Sequence, residues 1–194
     1  MNKLLIISIV LLALLVGGMA YYMTRPVYPK SILVYRYRYQ QMMSMEMKKE
    51  LINFTNQFHP ITERNYIELL EWEHIYLKYT EYALNFRPEL PIPIIIQGKG
   101  RCGEFALLYT GLLLANDIDC RLVVDCSVLW NQSKKAAGDH MWVEVLVQDK
   151  WLHVDPTENK IDQPKLYSNN WNKDVNLVYA IHGDNIIDVT ETYR

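Results

Sequence analysis

A chain of 194 residues, half of them apolar and with a formal net charge of −2, can bury one core and fits a globular domain with an appendage. That composition excludes a disordered chain. The slight acidic excess also excludes a phosphate-tracking surface, because the aromatic-rich "VYRYRYQ" supplies only Arg36 and Arg38, and no nucleic-acid partner is expected.

The appendage is residues 1–25, read as an N-terminal signal anchor or a signal peptide. Between Lys3 and Arg25 the run from Leu4 to Met23 carries no charge, and twenty residues at about 1.5 Å each reach about 30 Å, a bilayer core. "GMA", residues 18–20, has the small-x-small form of a peptidase site, so cleavage near Ala20 and secretion is the competing reading. For an uncleaved single-pass anchor, Arg25, Lys30, Arg36 and Arg38 tilt the orientation toward a cytoplasmic C-terminal domain; cleavage reverses this. The membrane is thus an expected partner, with the side left open.

Three cysteines leave one unpaired, and Cys120 and Cys126 fall in one extended stretch, "CRLVVDCSV". They stand about 20 Å apart, beyond disulfide reach. There is no CxxC pair and no HxxxH, so no metal site and no cofactor are expected. The sequons at Asn53 and Asn131 would matter only in a secretory compartment.

Residues 26–97 read as a linker and the helical part of the core. "RPVYPKSILVYRYRYQ" predicts a Pro-marked linker and then an extended or edge segment. Apolar residues at three and four spacing predict a helix from Gln41 to Phe58, with Met42, Met43, Met45 and Met47 as soft core filling, and a second from Thr62 to Phe86. In the second, Ile67, Leu70, His74, Leu77 and Leu84 roughly share a face, which makes His74 a packed or half-exposed helix residue. The prolines of "RPELPIPIIIQGKG" speak against a helix there, and the glycines before Cys102 permit close backbone approach.

From Cys102 an apolar helical pattern (Phe105, Ala106, Tyr109, Leu112, Leu113) runs to "AND". The period then switches to two, and "CRLVVDCSV", "HMWVEVLV", "WLHVD", "NLVYAIHG" and "NIIDVT" read as strands, giving an α+β fold. If Gln148 and Asp149 form a two-residue hairpin loop, Val147 pairs with Lys150, Glu144 with His153 and Trp142 with Asp155. His140, Trp142 and Glu144 then share a face with Trp151, His153 and Asp155, and Asp155 becomes the diagonal neighbour of His140.

A cysteine at a helix start, with a histidine oriented by a carboxylate, has a chemistry. The dipole and an imidazolium favour the thiolate, and Cys102 becomes a nucleophile toward a carbonyl. His140 takes the thiol proton and returns it to the departing nitrogen while Asp155 fixes the ring. First-turn amides are natural donors to an oxyanion.

The blocks "GRCGEFALLYTGLLLANDIDCRLVVD", "DHMWVEV" and "WLHVDPTEN" resemble the three successive motifs of the transglutaminase-like superfamily, and are similar most of all to the peptide:N-glycanase core. The likeness covers residues 98–194, the expected catalytic core. It implies a papain/transglutaminase-like fold with the nucleophile helix packed on an antiparallel sheet, Cys102 as nucleophile, His140 as general base and acid, and Asp155 as the orienting carboxylate. It departs from the eukaryotic glycanases in lacking their two zinc-binding CxxC pairs and in the longer segment "CSVLWNQSKKAAG".

Neighbouring residues carry two readings each. Arg101 could bind a carboxylate of the fold or of substrate; Trp142 could wall the site or pack the sheet; Glu144 could pair with His153 or, by the resemblance, contact substrate. Glu104 adds charge to the first helical turn, and Asp139 suits a turn. The expected function is a thiol-dependent amide hydrolase or acyltransferase working through a cysteine thioester on a protein or glycoprotein substrate. Deglycosylation of N-linked glycoproteins or glycopeptides is the family-specific version. A papain-like cysteine peptidase and a catalytically silent membrane-tethered binding domain are the alternatives, and the oligomeric state is open.

Overall fold

The computed structural model describes residues 10–19, 28–58, 65–80, 90–127, 140–162 and 176–193. Its elements in chain order are helix α1 (residues 10–19), α2 (Lys30–Met42), α3 (Met45–Phe58), α4 (Tyr66–Tyr76), strand β1 (Lys78–Tyr79), α5 (Pro91–Gln97), β2 (Lys99–Gly100), α6 (Cys102–Ala115), β3 (Cys120–Ser127), β4 (Met141–Val147), β5 (Lys150–Asp155), β6 (Lys160–Ile161), β7 (Asn176–His182), β8 (Asn185–Asp188) and a 3₁₀ turn (Thr190–Tyr193). The α+β expectation holds: six antiparallel strands in the order β6-β5-β4-β3-β7-β8 form one sheet, with helices against it.

Helix α6 sits at the centre. Phe105 through Ala115 are all buried, because β3 and β4 pack on one side and α2, α3, α4 and α5 on others. A helix apolar all round belongs in a core rather than on a surface. The strands supply the matching face through Leu122, Val124, Met141, Val143, Val145, Val154 and Ile181. A smaller cluster lies on the other face, where Val123, Trp142, Val178, Ala180 and Val189 pack with Tyr193.

Three expectations for the helical half are corrected. "KSILVYRYRYQQM" is helix α2, not an extended edge: Ile32, Tyr39 and Met42 are buried along one stripe, with Tyr35 packed against the same core. Helix α4 starts at the Asn65 cap, whose side chain accepts from the amides of Ile67 and Glu68 at 3.0 and 2.9 Å. It stops at Leu77, where the chain turns extended so that β1 can pair in parallel with β2. On α4, Leu69, Leu70, Trp72 and Glu73 are buried, while Ile67 and His74 are exposed. "PIPIIIQ" is helix α5: Pro91 and Pro93 stand in its first turn, where no amide is owed to a preceding carbonyl. Gly98, at φ 63°, closes α5 with its amide on Ile94 and Ile95.

Of the methionines expected in the core, Met42 is buried but Met43 and Met45 are exposed. The run "NIIDVT" leaves the sheet at Asp188 and turns into the 3₁₀ segment. The expected membrane span, Leu4 to Met23, is not supported: its described part is α1, ten residues or about 15 Å. Among the described residues no helix is long and apolar enough to cross a membrane. Residues 1–9 and 20–27, with the "GMA" terminus at Ala20, lie outside the described residues, as do Thr62, residues 81–89, Asn131 and Asp139.

Candidate active site

The site is assembled where α6 begins and β4 begins. Gly100 and Arg101 deliver the chain to Cys102, the first residue of α6. A Cβ on Gly100 would fall 2.5 Å from Cβ of Glu104, so glycine lets β2 and the first helical turn approach this closely. Glu104 accepts the Arg101 amide at 2.9 Å, pinning the turn that carries the cysteine. The opposite half of a capping box cannot form, since the Arg101 guanidinium has no acceptor. The adjacent Gly103 lies close enough to β4 that a Cβ there would stand 3.4 Å from Met141 Sδ.

His140 immediately precedes β4. Its Nε2 lies 2.6 Å from Asp155 Oδ2, and its ring hydrogen-bonds the Cys102 side chain. The hairpin that brings Asp155 here has the expected register: Val147 faces Lys150, Glu144 faces His153 and Val143 faces Val154. Gln148 and Asp149 are the two loop residues, both left-handed with φ of 50° and 62°, the turn whose twist matches paired strands. Asp155 is fully buried. Its Oδ1 accepts the amides of Thr157 at 3.0 Å and Glu158 at 3.4 Å, so the carboxylate is fixed on both oxygens.

Burial alone would pull the His140 ring down. Hydrogen bonds to Asp155 and Cys102, and the charges of both, outweigh it, and the ring is pushed up to about 10. At neutral pH it is therefore an imidazolium beside a cysteine. Cys102 is partly exposed, whereas Cys120 and Cys126 are buried, and none of the three is in a disulfide. Burial also pushes the Cys120 thiol up, away from reactivity.

The remaining expected site residues divide. Arg101 is exposed beside Cys102. Trp142 and Glu144 lie buried behind the trio. Trp142 stacks on His140 with centroids 5.9 Å apart, and both Glu144 oxygens are engaged, Oε2 by Arg121 and Oε1 by Tyr193. The expected Glu144–His153 pairing is present in register, with His153 Nε2 3.7 Å from Glu144 Oε1. Arg121 went unnoticed in the sequence, although an arginine on an apolar strand facing Glu144 across β3 and β4 signals a buried partner. Among the described residues no group of acidic, histidine or cysteine side chains could hold a metal.

Residues 57–156, just over half the chain, match the family model of the transglutaminase-like superfamily. The chain belongs to the transglutaminase-like superfamily. Its core resembles that of peptide:N-glycanases. The Drosophila melanogaster protein named peptide-N(4)-(N-acetyl-beta-glucosaminyl)asparagine amidase is 39% identical over 102 residues, 52% of this chain and 14% of that one. The Saccharomyces cerevisiae amidase of the same name is 37% identical over 105 residues, 53% of this chain and 26% of that one. The aligned part of this transglutaminase-like chain thus spans between a seventh and about a quarter of these relatives. Among solved structures, Rad4–Rad23 crosslinked to an undamaged DNA gives a TM-score of 0.56 at 17% identity, covering 84% of this chain and 46% of that one. This last likeness concerns the fold alone.

Proposed function

We propose that the protein is a cysteine-dependent amidase that cleaves amides through a Cys102 thioester, with the glycosylated asparagine side chain of a glycoprotein or glycopeptide as its substrate class. The observation that carries this reading is the hydrogen-bonded series Cys102–His140–Asp155 at the start of a buried helix, in a chain similar to glycopeptide amidases. The Cys102 thiolate attacks the amide carbon, and the oxyanion accepts hydrogen bonds from amides at the α6 start. His140 gives its proton to the departing nitrogen, which leaves as the amine. Water then attacks the thioester, His140 takes its proton, and the carboxylic acid is released. An amine in place of water would give transamidation by the same steps. The likeness to amidases favours this substrate over the main-chain bond of a peptidase. Arg101, exposed beside the nucleophile, is the candidate for a substrate carboxylate or hydroxyl.

Iodoacetamide at pH 6–7 should label Cys102 far faster than Cys120 or Cys126, and His140→Ala should slow it. A denatured N-glycopeptide should be converted to the aspartate form by the wild type and not by Cys102→Ala. Equal labelling of the three thiols sinks the nucleophile. Labelling without glycopeptide turnover, but with incorporation of a fluorescent amine into a glutamine peptide, moves the reading to crosslinking.

A membrane tether through residues 4–23 belongs to the same proposal. It is supported by the uncharged run and by the exposure of Val10, Leu11, Leu12, Leu14, Leu15, Val16 and Met19. Co-flotation of the full chain with liposomes, lost on deleting residues 1–25, tests it.

A further inference from the structure

Tyr193, in the 3₁₀ turn beyond the last strand, carries a hydroxyl with three neighbours. Trp142 Nε1 donates to it at 2.9 Å, it donates to Glu144 Oε1, and His153 Nδ1 lies 3.0 Å away. A phenol has one proton and two lone pairs. With the proton spent on Glu144 and one lone pair on the indole, the second lone pair requires that His153 Nδ1 be a donor. His153 is then the neutral Nδ1–H tautomer, consistent with burial pulling its ring below the usual range. Its Nε2, 3.7 Å from Glu144, is beyond a hydrogen bond. The tyrosine ring packs edge-on against both Trp142 and His153, at 5.1 and 5.2 Å.

Trp142 is also the ring that stacks on His140. We infer that Tyr193 is a positioning residue: from the back of the sheet its hydroxyl sets the Trp142 plane and, through it, holds the His140 imidazolium between Asp155 and Cys102. The C-terminal turn is thereby a working part of the site, reached through side chains rather than by contact with the reacting atoms. This inference rests on Cys102 and His140 being the reactive pair.

The test is Tyr193→Phe, which keeps the ring contacts and removes the hydroxyl. The readout is the pH dependence of Cys102 alkylation, beside the thermal unfolding midpoint. The inferred role raises the acid midpoint of labelling by about one pH unit, a roughly tenfold loss of rate at pH 6, as the imidazolium loses its fixed position. Trp142→Phe should do the same, with the double variant no worse than either single one. A lowered unfolding midpoint with the labelling profile of the wild type overturns it, since a structural role alone moves only stability. In the wild type, nitrogen-15 spectra at pH 8 should show His153 as the Nδ1–H tautomer. An Nε2–H signal overturns the assignment even if the Tyr193 variant does not fold. A wild-type Cys102 midpoint in the ordinary thiol range instead overturns the nucleophile, and this inference with it.

Discussion

Asp155 reaches His140 with one oxygen and spends the other on the backbone of its own turn, the amides of Thr157 and Glu158. The carboxylate is therefore held without help from solvent, and its effect on the ring is set by geometry. Changing Asp155→Asn removes the charge and leaves the burial that pulls His140 down, so the ring should fall from about 10. A proton NMR titration of His140 reads this directly, and kcat of the amidase should drop on the order of 10²-fold or more. The sign for stability follows from the raised ring. The folded state holds this proton more tightly than the unfolded chain, so the stabilisation is complete below about pH 6.5 and is lost as pH rises toward 10. The Asn variant should show a shallower decline between pH 7 and 9 in urea titrations.

At the scale of elements, the β4–β5 hairpin decides whether the trio exists. Inserting one glycine between Gln148 and Asp149 changes which face Asp155 occupies, and Cys102 alkylation at pH 6 should fall toward that of an ordinary thiol. Replacing the pair with Asn-Gly suits the same left-handed turn better. It should relieve about 1 kcal/mol of backbone cost and raise the unfolding midpoint by about 2–4 °C. This hairpin was legible because its pattern is local: alternation on both strands and a two-residue loop fix register without further information. Helix α2 was not, because the Tyr-Arg alternation of residues 35–39 imitates a strand and hides the Ile32, Tyr39 and Met42 stripe that the core selects. Helix α5 was hidden by prolines that disqualify a helix interior but not its first turn. Within the site, Cys102, His140 and Asp155 stood out by motif. Arg121 and Tyr193 meet Glu144 only after β3 and the C-terminal turn have folded onto β4.

Over the whole molecule, one buried charge site has no role in the chemistry above. Glu73, on α4 where it packs against α6, is fully buried, and neither carboxyl oxygen has a hydrogen-bond partner among the described residues. Burial raises its pKa well above the carboxylate range, and its charge would act on the phenol of Tyr109. The acid is neutral in the fold and ionised when unfolded, so its contribution to stability is greatest below about pH 4.3. It declines by at most about 1.4 kcal/mol per pH unit until the raised pKa is reached. Glu73→Gln keeps the shape without the proton and should flatten that slope, with its advantage over the wild type growing from pH 5 to 8 in urea titrations. An unchanged slope would mean the carboxyl finds a partner.

The burial of α6 along eleven consecutive residues has a kinetic meaning too. A nucleophile carried on an outer helix can be lost by fraying while the rest of the domain stands. Here the amides of Phe105 through Ala115 should exchange with deuterium only through opening of the whole core, at the slowest rate in the chain. Inactivation by heat or denaturant should then coincide with unfolding, leaving no folded but inactive species between them.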